Sequence, residues 1–321
     1  MKIVVGAKAA PALMEREMLV KEAERLLDLQ KATLLYLIDV SVATVDAAMR
    51  ARVKGQPYIL DLGDDTYALA VAAEMGRLRA RSRAGIAALT MQGATGIVYR
   101  GWFHRLILLA QRVDKPLMWV PDTVSDCELE ARTDRVPEQD LICSFGSITN
   151  AQRRELWPPF YGGELFDLLE MDKGLRGLLV ARGPGAPIAA TLATERGLKG
   201  RIKILPELPQ RALLEEVEAA AFVTSYQTDD VVGWSRTTGK LPLVLAAGRG
   251  LLTTNVGEAV RCLPARQRYP ADREAYLEGS VRRIGEGWSR ADIAGAKKTA
   301  ERFRRSTQAR RLALWLEGVL P

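Results

Sequence analysis

The sequence contains few of the residues that build metal sites, disulfides and acid–base catalysts. Its 321 residues include three cysteines and one histidine. The cysteines are odd in number and none has Cys-x-x-Cys spacing, so neither a disulfide framework nor a zinc site is indicated. This cysteine content fits the reducing cytosol. The one histidine, His104, lies in an apolar helical pattern, where a packed side chain is more common than a catalytic base.

Long hydrophobic runs and a cleavable signal pattern are also missing. Nowhere do about 18 apolar residues run uninterrupted, as a membrane-spanning helix would need. Met1 leads directly into Lys-Ile-Val-Val-Gly-Ala. We therefore expect a cytoplasmic protein that is either soluble or peripheral at the inner membrane face.

Positive charges outnumber negative ones. The formal net charge is +7 at pH 7, which favours an acidic partner such as a nucleotide, a nucleic acid or an anionic membrane surface. No helix-turn-helix, zinc or aromatic-strand motif accompanies this charge, so we do not expect nucleic acid as a partner.

Short runs rich in isoleucine, valine and leucine alternate with longer stretches of helical period. This alternation is typical of parallel sheets with crossover helices. A first series of predicted strands lies at 2–7, 32–39, 57–62, 96–100 and 116–121, and a second at 140–146, 176–183, 201–208, 220–226 and 250–256. The predicted fold class is α/β, with two Rossmann-like doubly wound domains that face each other across a cleft. Ligands of such sheets bind beyond the carboxyl ends of the strands.

A polar segment, 122–139, separates the two series and is the predicted hinge. The predicted domains are 1–130 and 138–288, followed by a C-terminal helical region, 289–321. Ser289 followed by Asp292 indicates an N-terminal cap for a final helical stretch over 289–317.

Residues 144–156, Ser-Phe-Gly-Ser-Ile-Thr-Asn-Ala-Gln-Arg-Arg-Glu-Leu, have the pattern of a strand end, a glycine turn and a helix start. Free backbone N–H groups at a helix start and nearby guanidinium groups both favour phosphate. The segment therefore predicts an anion site at Gly146 and Ser147, with Arg153 or Arg154 beside it.

Four segments of the second half occur in a characteristic order: 144–156, 161–185, 197–230 and 239–259. Together they resemble, over 138–262, the nucleotide-sugar domain of GT-B glycosyltransferases of the retaining, mannosyl- and glucosyl-transferring type. The resemblance implies a hexosyltransferase that moves a sugar from a nucleoside-diphosphate sugar to an acceptor hydroxyl, with retention. It also implies an acceptor-binding domain at 1–130, a final helix that returns to it, and no cofactor or metal besides the donor substrate.

The resemblance also implies which residues bind the donor. They are Gly146, Ser147, Arg153, Gly183, Gly185, Ile204 and Lys240. Lys240 enters a helix at Gly-Lys-Leu-Pro, where the helix dipole disfavours an unpaired cation, so we expect an anion there. For Gly183 and Gly185 a plain turn after a strand is an alternative.

The sequence departs from that family before the helix that closes the donor site. Relatives carry a pair of glutamates there, and the corresponding positions are Ser235 and Leu243. Neither is acidic, which leaves recognition of the ribose open. Asp229 and Asp230 are the nearest carboxylates, and we expect them to take over part of the catalytic role.

The first half carries further candidate catalytic carboxylates. Asp61, Asp64 and Asp65 lie where many relatives have a strand that ends in a histidine–aspartate pair. Functional groups of parallel sheets usually lie at such strand ends, so Asp64 and Asp65 are the predicted catalytic residues of this domain. An Asp-rich turn that caps a helix over 66–75 is the alternative.

Two basic stretches, 297–311 and the arginines at 77–83, leave two interpretations open. A solvated helix face explains most charge runs of this kind. Contact with an anionic membrane surface is the alternative, and it would favour a lipid-linked acceptor.

Two other functions are compatible with the sequence. A nucleotide-sugar epimerase shares the architecture, but it relies on carboxylates and histidine for proton transfer, and one histidine disfavours it. A transferase-like binding protein without activity would explain the missing glutamates.

Overall fold

The computed structural model describes most of the chain. The described residues are 1–5, 11–27, 34–72, 75–130, 135–148, 157–158, 160–183, 186–235 and 238–320. The chain divides into two compact units. The first consists of Met1–Asp126, Asp229–Gly239 and Arg302–Pro321, and the second of Cys127–Thr228 and Lys240–Glu301. The predicted domain bounds are continuous in sequence, whereas each unit takes in separate segments of chain.

Strands and helices alternate along the chain. The strands are β1 (Lys2–Val5), β2 (Leu35–Ile38), β3 (Tyr58–Leu62), β4 (Gly96–Tyr99), β5 (Leu117–Trp119), β6 (Glu138–Ser147), β7 (Arg176–Arg182), β8 (Ile202–Leu205), β9 (Ala220–Ser225), β10 (Gly250–Thr254) and β11 (Arg268–Tyr269). The helices are α1 (Pro11–Leu26), α2 (Val42–Val53), α3 (Thr66–Ala72), α4 (Arg77–Gly93), α5 (His104–Ala110), α6 (Asp126–Glu130), α7 (Glu164–Met171), α8 (Ala186–Glu195), α9 (Gln210–Ala219), α10 (Val231–Ser235), α11 (Lys240–Ala246), α12 (Ala259–Cys262), α13 (Arg273–Gly285), α14 (Arg290–Ala300) and α15 (Arg305–Val319).

The first unit contains five parallel strands in the order β1-β2-β3-β4-β5. Strands β2, β3 and β4 are buried along their whole length, as expected for a parallel sheet covered by helices on both faces. One face packs on α1 and α15 through Leu19, Leu312 and Leu316. The other face packs on α2 through Ala48 and Ala51.

The second unit contains six parallel strands in the order β11-β10-β9-β6-β7-β8. The chain runs outward from β6 to β8 and then returns to β9 on the other side of β6. Ligands of open α/β sheets bind beyond the carboxyl ends at such a reversal of strand order. Ser147 of β6 and Ser225 of β9 mark this switch point. The two-residue strand β11 is not predicted by the sequence.

The final helical stretch predicted over 289–317 is interrupted. The predicted cap is confirmed, because Ser289 and Asp292 form a capping box at the start of α14. A short 3-10 turn, Glu301–Phe303, then separates α14 from α15. The backbone N–H of Val124 donates to Phe303 O, and the backbone N–H of Arg305 donates to Val124 O. These two bonds flank Arg304 and hold the chain extended there. Within the described ranges, no helix combines the length and apolar character that crossing a bilayer requires.

Candidate functional site

Strands β6 and β7 of the second unit each end beside a glycine with positive φ. The φ angle is 145° at Gly146 and 96° at Gly183, values that favour glycine. A Cβ added to Gly183 would lie 3.7 Å from Oγ of Ser147, and one added to Gly146 would lie 3.8 Å from Cε of Lys240. Four predicted donor-site residues therefore lie together at the carboxyl edge of this sheet: Gly146, Ser147, Gly183 and Lys240. The φ values also fit plain turns, so the glycines alone do not distinguish the two interpretations.

Lys240, the first residue of α11, places a buried cation in this group. Its side chain is 4% exposed, and its Nζ donates to Thr224 O at 3.0 Å and to Ser144 Oγ at 3.3 Å. Among the residues that the structure describes, no carboxylate pairs with it. Burial raises the pKa of the nearby Cys143 thiol to about 12 despite the Lys240 charge, so that thiol supplies no counter-charge. A buried ammonium without a counter-ion is costly, and an anion would offset that cost.

A network of polar side chains that the sequence analysis missed surrounds the end of β9. Gln227 Nε2 donates to Ser225 Oγ at 3.2 Å and to the Tyr161 hydroxyl at 3.4 Å. Its backbone N–H donates to Thr254 Oγ1 at 3.1 Å. The buried hydroxyl oxygen of Thr224 has no partner. Polar side chains at this density suit a ligand with many hydrogen-bonding groups.

Glu164 is a second buried charge at the same edge. It is 1% exposed at the start of α7, where the helix dipole favours a carboxylate. Its Oε1 accepts from the backbone N–H of Tyr226 at 3.1 Å, whereas its buried Oε2 has no partner. In the sequence, the Gly-Gly-Glu-Leu segment that follows Tyr161 was the signal that could have indicated this carboxylate. Gly162 has φ 95°, and a Cβ there would lie 2.7 Å from Ser144 Oγ, so only glycine fits.

Three predicted donor-site residues remain: Ile204, Arg153 and Gly185. Ile204 lies near the end of β8, the edge strand, which β7 separates from β6. Arg153 and Gly185 lie outside the described residues. Ser235 and Leu243, the two positions at which the sequence departs from the family it resembles, are both buried.

The carboxylates predicted to be catalytic in the first unit differ in their contacts. Asp65 is 7% exposed, and its Oδ1 accepts from the backbone N–H of Ala68 at 2.8 Å, so Asp65 caps α3 as the alternative interpretation proposes. Its Oδ2 accepts from Gln111 Nε2 at 2.8 Å. Both oxygens of Asp65 are therefore engaged in structural contacts.

Asp229 and Asp230 belong to the first unit and make local bonds. Asp230 Oδ1 accepts from the backbone N–H of Gly233 at 2.9 Å, and Asp229 Oδ1 accepts from Trp234 Nε1 at 2.7 Å. These bonds fix the turn that begins α10. Asp230 also reaches the cavity described next, whereas Asp229 is not among its lining residues.

The first unit contains a cavity of about 1100 Å³ lined by Asp64, Asp65, Asp230 and His104. Its walls come from α3, α4, α5 and the start of α10. His104 is 1% exposed, as predicted for a packed side chain, and its Nδ1 is buried without a partner. Burial lowers the pKa of His104, and the charges of Asp65 and Asp64 only partly oppose this, so the imidazole is neutral at pH 7.

An ion cluster that the sequence analysis missed lies at the carboxyl edge of the first sheet. Asp61 is fully buried, and its Oδ2 accepts from Arg16 Nε at 2.6 Å and from the Tyr36 hydroxyl at 2.9 Å. Arg100 lies 3.6 Å from Asp61 and 3.3 Å from Asp39. Burial raises the pKa of Asp39, although the Arg100 charge opposes it. Asp61 therefore holds the sheet edge together and is not available to a ligand.

No protein-family profile and no curated protein matches this chain. Solved structures match its fold. Sucrose-phosphate synthase from Thermosynechococcus elongatus gives a TM-score of 0.67 at 12% identity, over 89% of this chain and 73% of that chain. The pneumococcal O-GlcNAc transferase GtfA, solved with UDP and GlcNAc, gives 0.66 at 9% identity, over 95% of this chain and 60% of that chain.

A UDP-forming trehalose-phosphate synthase from Burkholderia xenovorans, in complex with glucose-6-phosphate, gives a TM-score of 0.63 at 11% identity. The match covers 95% of this chain and 77% of that chain. This chain spans less than two thirds of GtfA. The likeness confirms the predicted α/β class: the chain has the GT-B glycosyltransferase fold, with a parallel sheet in each unit.

Proposed function

We propose that this protein is a glycosyltransferase that moves a hexose from a nucleoside-diphosphate sugar to an acceptor hydroxyl, with retention. The observation that carries the proposal is the buried Lys240 ammonium, which has no carboxylate partner in the described chain. It lies beside Gly146, close to the strand ends at Ser147 and Gly183. The fold supports the same conclusion, since a structural neighbour, GtfA, was solved with UDP.

The charge at Lys240 suits the leaving group of this reaction. The acceptor oxygen bonds to the anomeric carbon while the bond between that carbon and the donor's phosphate oxygen breaks. The electron pair of the broken bond goes to the diphosphate, so a cation placed there in advance stabilises the transition state. With retention, the leaving phosphate oxygen takes the proton of the acceptor hydroxyl. No strong protein base is then needed, which fits a chain with one buried histidine.

A second candidate is a protein that binds nucleoside diphosphates without transferring sugar. Ser235 and Leu243 favour it, because Ser235 is fully buried and Leu243 is 5% exposed. Neither position presents the carboxylate that relatives carry. Glu164, with one unpartnered buried oxygen, is the carboxylate of the described second unit best placed to replace one of them.

Hydrolysis of donor sugars distinguishes these functions. The protein is incubated with UDP-, GDP- and ADP-hexoses, and release of the nucleoside diphosphate is measured. We expect hydrolysis of at least one donor. Binding of a diphosphate by calorimetry without hydrolysis or transfer would instead identify a binding protein.

Lys240→Ala tests the site itself. A charge-assisted hydrogen bond contributes roughly 1–3 kcal/mol, so the affinity for the diphosphate should fall by about 5- to 150-fold. Lys203→Ala is the matched control, because Lys203 is an exposed lysine of the same unit, paired with Glu216 at 3.0 Å. Equal affinity of the wild type and Lys240→Ala would exclude Lys240 from the donor site.

A further inference from the structure

The cavity of the first unit has an apolar wall along one face of α4. Beyond its first turns, this face presents small or apolar residues to the cavity: Ala84, Gly85, Ala87, Ala88 and Met91. Ile107 and Leu108 of α5 line the cavity as well. A Cβ added to Gly85 would have no heavy atom within 4 Å, so the space beside it is open. These walls suit an apolar chain.

The start of the same helical face is cationic. Arg77 and Arg81 line the cavity, and neither makes an ion pair within the described part of the chain. Helix α4 has no acidic residue in its first turn, and its N-cap residue, Gly76, has no side chain that could accept a hydrogen bond from the first N–H groups. The helix dipole disfavours cations at this end, so the two arginines do not stabilise the helix itself. An anion between them would satisfy both the guanidinium groups and the helix start.

A buried polar atom independently indicates a ligand in this cavity. Nδ1 of His104 is buried without a partner, although His104 lines the cavity and is 1% exposed. A neutral imidazole has one donor and one acceptor nitrogen, and a hydroxyl can satisfy either. The cavity therefore offers a contact for a hydroxyl, an apolar wall and a cationic rim.

Apolar side chains are exposed on the two helices that line the cavity. Leu78 of α4 is 83% exposed, and Leu106 of α5 is 62% exposed. Val71 and Val231 line the cavity itself and are each about half exposed. Exposed apolar residues beside a cavity indicate a contact with an apolar partner.

We propose that this cavity binds a lipid that carries an anionic phosphate group, with its chain along α4 and α5 and its phosphate at Arg77 and Arg81. The inference rests on the proposed glycosyl transfer, and it names the acceptor as a phosphate-bearing amphiphile whose hydroxyl lies near His104. Charge complementarity at the start of α4 selects this occupant, because a neutral chain leaves Arg77 and Arg81 without an anion and a small phosphate leaves the apolar wall uncovered.

Calorimetry without any nucleotide sugar tests the site. The probe is dodecyl phosphate below its micelle concentration, with dodecyl maltoside as the neutral chain and glycerol phosphate as the chainless anion. We expect dodecyl phosphate to bind at least tenfold more tightly than either. Equal affinity for dodecyl phosphate and one of the two controls would overturn the inference.

Two pairs of substitutions remove the same charge from the same helix. Arg77→Gln with Arg81→Gln removes the two cavity-lining charges at the start of α4, whereas Arg79→Gln with Arg83→Gln removes two arginines that do not line the cavity. We expect at least tenfold weaker binding of dodecyl phosphate for the first pair and less than a twofold change for the second. Equal losses would show diffuse attraction to the helix and no defined site.

Gly85→Leu places a side chain in the cavity. Its control is Gly295→Leu of α14, because a Cβ at Gly295, like one at Gly85, has no heavy atom within 4 Å. Both replace a helical glycine, so neither should lose stability, which circular dichroism checks. We expect Gly85→Leu to weaken dodecyl phosphate binding at least tenfold and Gly295→Leu to leave it unchanged. Unchanged binding to Gly85→Leu would overturn the inference.

Donor hydrolysis separates this inference from the proposed function. Hydrolysis without binding of dodecyl phosphate would overturn the acceptor site alone. Binding of dodecyl phosphate without hydrolysis of any donor would overturn the proposed transfer alone.

Discussion

The ammonium nitrogen of Lys240 lies 4.1 Å from the centroid of the Tyr161 ring. The same ring is 3.0 Å from the position that a Cβ on Gly146 would occupy. Tyr161 therefore fixes both the cation and the turn of the candidate donor site. A ring face attracts a cation but does not neutralise it, which leaves the charge available to an anionic ligand.

Tyr161→Ala should weaken binding of a nucleoside diphosphate about tenfold. Loss of a desolvated cation–π contact costs roughly 1–2 kcal/mol and frees the Lys240 side chain. Tyr161→Phe keeps the ring and loses the long contacts of the hydroxyl, which lies 3.4 Å from both Ser225 Oγ and Gln227 Nε2. We expect its affinity to stay within twofold of the wild type. Titration calorimetry with UDP or GDP measures both, and equal losses would assign the effect to the hydroxyl.

Asp64→Asn and Asp65→Asn should have different effects. Asp65 caps α3 and accepts from Gln111, so we expect Asp65→Asn to lower the free energy of unfolding by about 1 kcal/mol. Asp64 lines the cavity as well, and we expect Asp64→Asn to lower kcat severalfold. Neither should abolish transfer if the leaving phosphate takes the proton.

The anomeric configuration of the product, observed by NMR, checks this mechanism. Retention agrees with proton transfer to the leaving phosphate. Inversion would require a protein base, and Asp64 would then be the candidate, with a loss of kcat of several orders of magnitude in Asp64→Asn.

All ten predicted strands are present. Each is a short apolar run bounded by turn residues, because a parallel strand covered by helices on both faces of the sheet needs apolar side chains on both faces. The break between α14 and α15 could not be predicted from local pattern. It depends on Val124, which is distant in sequence and bonds to the backbone around Arg304. Strand β11 is two residues long and leaves no periodic signal.

The candidate sites were predictable only in part. The glycines and Lys240 stand out because few residues suit a positive φ or a helix start. The Arg16–Asp61 pair joins α1 to β3 across 45 positions, and no spacing rule reveals such a contact. Glu164 looks like an ordinary first-turn acid in the sequence, and only its burial at the end of β9 gives it significance.

Asp126 should make the stability of the first unit sensitive to acid. It accepts from Arg304 Nη1 at 2.8 Å and from Ser306 Oγ at 2.7 Å, which holds the start of α15. Burial would raise the pKa of Asp126, but the hydrogen bonds from Ser306 and Arg304 outweigh it and keep that pKa below its ordinary value.

The unfolded state then binds the proton more readily than the folded state. The contribution of Asp126 is therefore present above the ordinary carboxyl pKa and is lost as the pH falls through the folded-state value. We expect Asp126→Asn to lower the free energy of unfolding in urea at pH 7, and the difference from wild type to shrink toward pH 3. Asp46→Asn, which removes an exposed pair with Arg50, is the control and should change little at either pH.

The final prediction concerns the two basic stretches. In the C-terminal one, Arg304 pairs with Asp126 at 2.8 Å and Arg305 with Glu15 at 2.5 Å, so these two charges are neutralised. In α4, by contrast, Arg77, Arg79 and Arg81 make no ion pair within the described residues. If the protein contacts an anionic membrane, the arginines of α4 should therefore supply more of the attraction than Arg304 and Arg305.

Sedimentation with phospholipid vesicles tests this difference. Each Lys or Arg near an anionic surface adds about 1 kcal/mol of attraction, so Arg79→Gln with Arg81→Gln should weaken binding to anionic vesicles by roughly 30-fold. Arg304→Gln with Arg305→Gln, which removes two charges that are already paired with carboxylates, is the comparison and should weaken it less than threefold. Wild-type binding should fall as salt shortens the Debye length from about 10 Å at 0.1 M to about 3 Å at 1 M. Equal, negligible sedimentation of the wild type with anionic and neutral vesicles would leave a soluble acceptor as the alternative. Equal losses for the two pairs of substitutions would show that net charge, and not α4, attracts the membrane.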